Sequence, residues 1–206
     1  MSKKTLAVTL SKLKSFVNPK ISLEQYQTDS DIAATILWEA DMQGLVKDKI
    51  ITDLGAGTGV LGIGCLLLGA KKVYFVEKDK DAIVTLTQNI AQMEDLYELG
   101  EYEIICKDVS HFEIKSELVI TNPPFGTQIK GSDIKFLEIA MFLSDKVISF
   151  HKTETADYIN KFIKNNGFSV EETMCVAFPL KNTMKQHKKR LERIDVTIWI
   201  ISKKNS

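Results

Sequence analysis

The chain reads as an α/β protein built on a mostly parallel sheet, and three observations carry that reading. Short β-rich runs alternate with stretches of helical periodicity through the middle of the chain, the pattern of strands joined by crossover helices. A glycine-rich turn, Asp53-Leu54-Gly55-Ala56-Gly57-Thr58-Gly59, directly follows the first central β-run, where a parallel sheet places its ligand crevice. Two late β-runs, Ser169–Phe178 and Asp195–Ile201, flank a basic segment and suit an antiparallel pair closing the sheet edge.

In order along the chain, Thr5–Phe16 and Asp29–Asp41 have the spacing of helices and are joined by Leu23-Glu24-Gln25-Tyr26-Gln27-Thr28. Lys49–Leu54 is a strand, and the turn after it leads into the apolar helix Val60–Leu68. Lys72–Val76 is the next strand; Asp79–Met93 is a helix with Ile83, Leu86, Ile90 and Met93 on one face. Glu103–Cys106 and Glu117–Thr121 are strands, Phe136–Phe142 a helix and Lys146–Phe150 a strand. Thr153–Asn165 is a helix stopped by Gly167. No repeat or Pro/Ser-rich linker divides the chain, so we expect one domain over 1–206. Within it, 1–45 would form a helical cap and 46–206 the core, with a basic loop at 181–193.

Composition narrows the function classes. With 206 residues, 44% hydrophobic and 26% charged, 11 Gly and 4 Pro, disorder, collagen and low-complexity readings are excluded. The longest near-continuous apolar stretch, Val60–Ala70, is far short of the roughly 20 residues that span a bilayer, so no membrane association is expected. The first residues alternate Leu and Val with Lys and Ser and lack the apolar block of a signal peptide. Three dispersed cysteines, Cys65, Cys106 and Cys175, fit neither a disulfide framework nor a metal site. The expected setting is the cytoplasm or another reducing compartment. The formal net charge of zero conceals basic ends on an acidic body. Residues 1–20 hold five lysines and no acid, and residues 181–206 carry eight basic residues against Glu192 and Asp195. Such ends are either simply solvated or together form a patch able to hold a polyanion.

Two stretches carry chemistry. The glycine turn has the spacing GxGxG with Val60 next, which differs from the dinucleotide fingerprint. Its glycines let backbone approach a ligand without a Cβ clash. Glu77 ends the following strand, where a carboxylate can accept both ribose hydroxyls. Asp108 follows the strand after that and either accepts from an adenine amino group or caps a turn. No Walker lysine is present, which removes phosphate transfer. The second stretch, Thr121-Asn122-Pro123-Pro124-Phe125-Gly126, follows a strand and ends it, because neither proline can donate to a ladder. Pro123 also keeps Asn122 out of the α region. The result is a stiff corner suited to a planar substrate carrying an NH₂ group. The Asn122 side-chain oxygen and the Pro123 carbonyl can each accept one amino hydrogen, and Phe125 can stack on the ring, a contact worth about 1–3 kcal/mol for a base. With an activated methyl donor no strong general base is needed, and catalysis rests on positioning and fixed dipoles.

At these residues the chain resembles a class I S-adenosyl-L-methionine-dependent methyltransferase, and more narrowly the methyltransferase-like-five family of ribosomal RNA adenine-N6 methyltransferases. The matching segments are LEQYxT (Leu23–Thr28), DLGxGxGVL (Asp53–Leu61), Asp108-Val109, NPPFGT (Asn122–Thr127), KGxD (Lys130–Asp133), Phe136-Leu137, SxHK (Ser149–Lys152) and HKK (His187–Lys189). The resemblance implies a Rossmann-like fold with a seven-stranded, mostly parallel sheet, helices on both faces and an antiparallel C-terminal hairpin. It implies that Gln25 and Thr28 cover the methionine portion of the donor. Asp53, Gly55, Gly57, Thr58 and Val60 would form the donor's turn, Glu77 would hold its ribose and Asp108-Val109 its adenine. Asn122, Pro123, Pro124 and Phe125 would be catalytic, Asn122 bordering the donor as well. Lys185, His187, Lys188, Lys189 and Arg190 would bind RNA phosphates without reading sequence, the substrate being a small-subunit ribosomal RNA. Glu77 stands where relatives often have Asp, Thr58 where some have Cys, and Arg190 to Arg193 lengthens the basic segment. Family members work with a small zinc-containing activator subunit that adds a strand to an exposed sheet edge, and Lys72–Val76 is the candidate contact here.

Other readings stay open on the sequence. The same four-residue site, usually NPPY, methylates the glutamine amide of release factors, and a non-catalytic donor-binding RNA assembly factor could keep the same surface. DNA adenine methylation would need a target-recognition domain that the sequence lacks. His151 is expected as a strand-end histidine bordering the substrate pocket at most, and Trp38 and Trp199 as core.

Overall fold

The computed structural model describes residues 1–125, 131–180 and 192–204, without the side chains of Leu180 and Glu192. The chain begins with α1 (Lys3–Leu10), started by the Ser2 hydroxyl accepting from the Thr5 N–H. This helix stops six residues short of the expected Phe16, because Ser11 takes the C-cap and Lys14 turns aside to bond Asn89. A single 3₁₀ turn at Ile21–Leu23 leads to α2 (Ser30–Met42), where the Asp29 carboxylate caps the Asp31 and Ile32 N–H groups.

The core follows as β1 (Ile50–Leu54), α3 (Val60–Leu67), β2 (Lys72–Glu77), α4 (Lys80–Glu94) and β3 (Glu101–Cys106). After these come β4 (Leu118–Thr121), α5 (Ser132–Leu143), β5 (Lys146–Lys152), α6 (Ala156–Asn165), β6 (Phe168–Leu180) and β7 (Glu192–Lys203). One seven-stranded sheet runs in the order β3-β2-β1-β4-β5-β7-β6. Strands β1 to β5 are mutually parallel, whereas β7 runs antiparallel to both β5 and β6. The expected class is therefore the observed one. The late pair is longer than its apolar runs suggested, since ladder pairing carries β6 on to Pro179 and Leu180 and starts β7 at the charged Glu192 and Arg193.

The expected contact on Lys72–Val76 requires correction. That strand pairs with β1 on one side and with β3 on the other, so its backbone groups are consumed. The parallel half of the sheet ends on β3, whose side chains are largely exposed or half-buried.

Buried apolar residues divide by strand alternation. Ile51, Val73, Phe75, Ile120, Ile148, Ile198 and Ile200 join one cluster with α1, α2 and α3. Leu54, Val76, Val119, Val147, Trp199 and Ile201 join a second with α5 and α6. Because side chains on a strand point alternately to opposite faces, these are the two faces of the sheet. The α4 stripe is shifted from the predicted one: Ala82, Thr85, Leu86, Asn89, Ile90 and Met93 are buried, while Ile83 is not. Trp38 is half-buried, Trp199 fully so. Among the described residues no helix is long and apolar enough to cross a membrane.

Candidate active site

The strand order reverses between β1 and β4, and a crevice opens where the carboxyl ends of such strands diverge. Here it is a cleft of about 350 Å³. Gln25, Thr28, Asp53, Gly55, Gly57, Thr58, Val60, Glu77, Asp108, Val109 and Asn122 all line it, joined by Phe16, Tyr26, Pro124, Lys135 and Phe136.

The glycine turn needs its glycines. Gly55 has φ +78°, and a Cβ there would lie 2.7 Å from the Phe136 ring; at Gly57, with φ +54°, it would lie 2.9 Å from Phe16. An L-residue at either place would be strained twice over, in backbone and in contact. Glu77 shapes the same turn. One of its oxygens accepts from the Gly57 N–H at 2.9 Å and the other from the Lys78 and Asp79 N–H groups, both at 2.8 Å. A carboxylate has about four lone-pair directions, so with these three N–H donors in place one acceptor direction stays open. Asp108 is a turn cap as well as a cleft residue. It accepts from the Ser110 hydroxyl at 2.7 Å and N–H at 3.1 Å and pairs with Lys78 at 3.3 Å. The Ser110 bonds and Lys78 hold its carboxyl down to about 2. Asp53 is 2% exposed and accepts the Gly62 N–H at 2.8 Å. Burial, with the Glu77 charge nearby, pushes its carboxyl up to about 7.

The wall contributed by the first 28 residues is stitched in place by side chains. The Gln25 amide uses both ends structurally, accepting from the Lys20 N–H at 2.8 Å and donating to Asp79 at 2.5 Å. Lys20 forms an ion pair with the same Asp79 and reaches Asp81 at 2.9 Å. Gln25 therefore anchors the segment, while its position also borders the cleft. Asn89, fully buried on α4, accepts from the Lys14 N–H at 2.8 Å and donates to the carbonyls of Lys14 and Thr58 at 3.0 and 2.9 Å. Sequence reasoning missed this residue; an asparagine at a core position of an otherwise apolar helical face was its signal.

The Asn-Pro-Pro-Phe corner divides between cleft and core. Asn122 and Pro124 line the cleft, and the Ser132 hydroxyl at the start of α5 donates to the Pro124 carbonyl at 3.4 Å. The Asn122 amide N–H donates to Thr28 Oγ1 at 3.0 Å, while its Oδ1 is buried and has no hydrogen-bond partner among the described residues. Pro123 is buried behind the cleft wall. Phe125 departs from the expectation of an open stacking ring. It is 7% exposed and covered by Tyr26, stacked at 5.3 Å between centroids and 24° between planes, with Phe178 edge-on at 5.9 Å. Two aromatic rings prefer contact to water when no base is present, so Tyr26 takes the stacking position. Burial raises the pKa of the Tyr26 hydroxyl far above the usual phenol value, against the opposing pull of the Phe125 backbone.

His151 does not border the cleft. It lies fully buried on β5, 2.8 Å from the Ser149 hydroxyl and 3.4 Å from Asp133. Burial lowers its pKa, against the pull of Asp133. Lys185, His187, Lys188, Lys189 and Arg190 lie outside the described residues.

A family model described as conserved hypothetical protein 95 matches residues 35–174. The chain is 35% identical to the rRNA N(6)-adenosine-methyltransferase Mettl5 of Drosophila melanogaster, over 89% of this chain and 88% of that protein. It is 33% identical to the rRNA N(6)-adenosine-methyltransferase METTL5 of Danio rerio, over 95% of this chain and 96% of that one. Among solved structures it is similar to a candidate RNA methyltransferase from Pyrococcus horikoshii, with TM-score 0.90, 43% identity and 98% of both chains covered.

Proposed function

Since the chain belongs to the conserved hypothetical protein 95 family, alongside rRNA N(6)-adenosine-methyltransferases, we propose that it transfers a methyl group from S-adenosylmethionine to the N6 amine of an adenine in ribosomal RNA. The observation that carries the reading is the Oδ1 of Asn122, a buried acceptor at the cleft that no donor among the described residues satisfies. An unpaired buried acceptor costs about 1–3 kcal/mol, and a substrate amine is the group that relieves it.

The cleft fits the donor. In this reading Gly55 and Gly57 admit close backbone approach, Glu77 takes the ribose and Asp108 and Val109 the adenine; these residues and Asp53 all line the cleft. When bound, S-adenosylmethionine supplies an electrophilic methyl group. The residues of this chain orient the nucleophile. Asn122 Oδ1 and the Pro123 carbonyl accept the two amine hydrogens, which concentrates electron density on the nitrogen, and rigid placement does the rest. The target base slides between Tyr26 and Phe125. Two ring contacts of about 3.5 Å each need roughly 7 Å, so Tyr26 moves outward on a segment fastened by side chains.

The finer substrate is a small-subunit ribosomal RNA, met by phosphate contacts from Lys185, His187, Lys188, Lys189 and Arg190. The finer partner is the zinc-containing activator subunit, for which the outer edge of β3 is the strand-pairing site. The setting is the cytoplasm, or the nucleus of a eukaryote.

The test is transfer of radiolabelled methyl to total RNA and to release factor, with and without the activator, followed by nucleoside digestion. N6-methyladenosine supports the reading, and methylglutamine in protein overturns it. Asn122→Ala should lower kcat by about 100-fold or more, the scale of one removed polar transition-state contact, with donor affinity retained.

A further inference from the structure

The acceptor corner leaves the sheet abruptly. Strand β4 pairs with β5 as far as Thr121 opposite Ser149, and the two prolines that follow Asn122 cannot donate to a longer ladder. Strand β5 runs on past that point through His151 to Lys152. The first turn of α5 meets this overhang. Asp133 Oδ2 lies 3.4 Å from His151 Nδ1, and His151 Nε2 lies 2.8 Å from the Ser149 hydroxyl. We infer that Asp133 and His151 are positioning residues for the acceptor corner, docking the first turn of α5 on β5 so that Ser132 braces Pro124. The inference rests on the reading of Asn122 to Phe125 as the methyl-acceptor site.

The three side chains have the connectivity of a hydrolytic triad, a serine on one ring nitrogen and a carboxylate on the other. Ser149 and His151 are both 0% exposed, so no substrate reaches the hydroxyl. None of the three lines the cleft. What the constellation can do is fix geometry. An ionised carboxylate only accepts, so Asp133 takes the hydrogen of Nδ1 and sets the orientation of the ring. A polar contact in so dry a place is costly to leave unmade, which gives the docking one defined position.

Helix α5 depends on such an outside tie. Its N-cap is Gly131, which offers no side-chain bond to the helix start. Asp133 follows Ser132 in the first turn and reaches a strand residue 18 positions away. From the same turn the Ser132 hydroxyl donates to the Pro124 carbonyl at 3.4 Å. The connection therefore runs from β5 through His151 and Asp133 to Ser132, and from there to a carbonyl two residues beyond Asn122. One turn later Phe136 packs in the second core cluster, so the body of the helix keeps its place when the first turn is released.

The experiment compares Asp133→Ala, which removes the acceptor, with Asp133→Asn, whose amide oxygen can still accept from Nδ1. His151→Phe, which fills the space without bonding, is made alone and together with Asp133→Ala. Methyl transfer at saturating donor, donor binding by calorimetry, thermal unfolding and the ¹H–¹⁵N signals of the Asn122 side-chain amide are measured. Asp133→Ala should stay folded and lower kcat about 10- to 100-fold, as misplacement of a reacting group does. Its donor Kd should change less than about threefold, the scale of an indirect effect against the 10-fold that about 1.4 kcal/mol would bring. The Asn122 amide signal should shift, and Asp133→Asn should recover both kcat and the signal. Adding Asp133→Ala to His151→Phe should cost less than the two single losses combined, because the two side chains act as one contact. A lower melting temperature in Asp133→Ala with kcat and the Asn122 signal unchanged overturns the inference and leaves a purely structural bond. So does full additivity of the two substitutions. If the wild-type protein makes no N6-methyladenosine, the activity reading fails, and the Asn122 signal in Asp133→Ala and Asp133→Asn still decides whether this contact holds the corner.

Discussion

Asp53 is the penultimate residue of β1, beneath the glycine turn and sealed from water, and accepts a bond from the Gly62 N–H. Its folded carboxyl lies near 7 against 3.8 for the free group. The sign follows from proton counting. Between those two values the unfolded chain has released its proton and the folded chain has kept it, so this residue makes folding less favourable as pH rises. The loss is absent below about pH 4, grows across the window at up to about 1.4 kcal/mol per pH unit and is complete above about pH 7. Asn mimics the neutral acid, so Asp53→Asn should match wild type in urea denaturation below about pH 4, exceed it progressively up to about pH 7 and keep a constant advantage above that. A stability difference that does not change with pH would refute the assignment. Residues of this kind were half legible in the sequence. The motif located Asp53 beside the glycines, but its protonation depends on burial that only the assembled sheet creates. Asn122 was readable from its two prolines, whereas the covering of Phe125 by Tyr26 was not. Nothing local distinguishes a ring waiting for a base from one that has found another ring.

Elements in the α/β core were legible where hydrophobic period and turn chemistry agreed. β1, α3, β2 and β5 lie within a few residues of their predicted spans because each pairs an apolar run with a glycine, acidic or polar boundary. Elements whose limits are set by distant partners were misjudged. The periodic pattern carries α1 to Phe16, yet the chain leaves the helix at Leu10, since the Lys14 backbone gains two bonds from a residue on α4. The same competition explains why polar Asn89 sits in an apolar stripe: it serves the backbone of two other segments. Asn89→Leu should therefore strip partners from the Lys14 N–H and from the Lys14 and Thr58 carbonyls at once. With about 1–3 kcal/mol for each buried group left unpaired and partial relaxation, we expect a loss of about 3 kcal/mol in chemical denaturation. Donor affinity should fall with it, as the turn at Thr58 and the Phe16 ring over Gly57 lose their common support. A variant as stable as wild type would contradict that role.

The whole molecule balances to zero formal charge, with an excess of basic over acidic residues in 1–20 and 181–206 offset by an acidic middle, an asymmetry that suits a polyanion. Replacing Lys188, Lys189 and Arg190 together by Ala should weaken RNA binding, leave donor binding intact and flatten the dependence of log K on log salt by about 2 to 3, close to one unit per lost phosphate contact. Equal loss of both ligands would instead signal unfolding. At this scale the sheet class was plain from the alternation of strands and helices, but not which strand formed the rim. Strand order is a long-range property, and the apolar content of β2 pointed to exposure when it reflected a central position. The order also places β7, made after β6, between β5 and β6. As the nascent chain leaves the translating machinery, β6 has no neighbour in the sheet until the final strand arrives to bridge it. Its unpaired backbone edge stays open until then, and the twelve residues of β7 act as the keystone that ends that vulnerable interval.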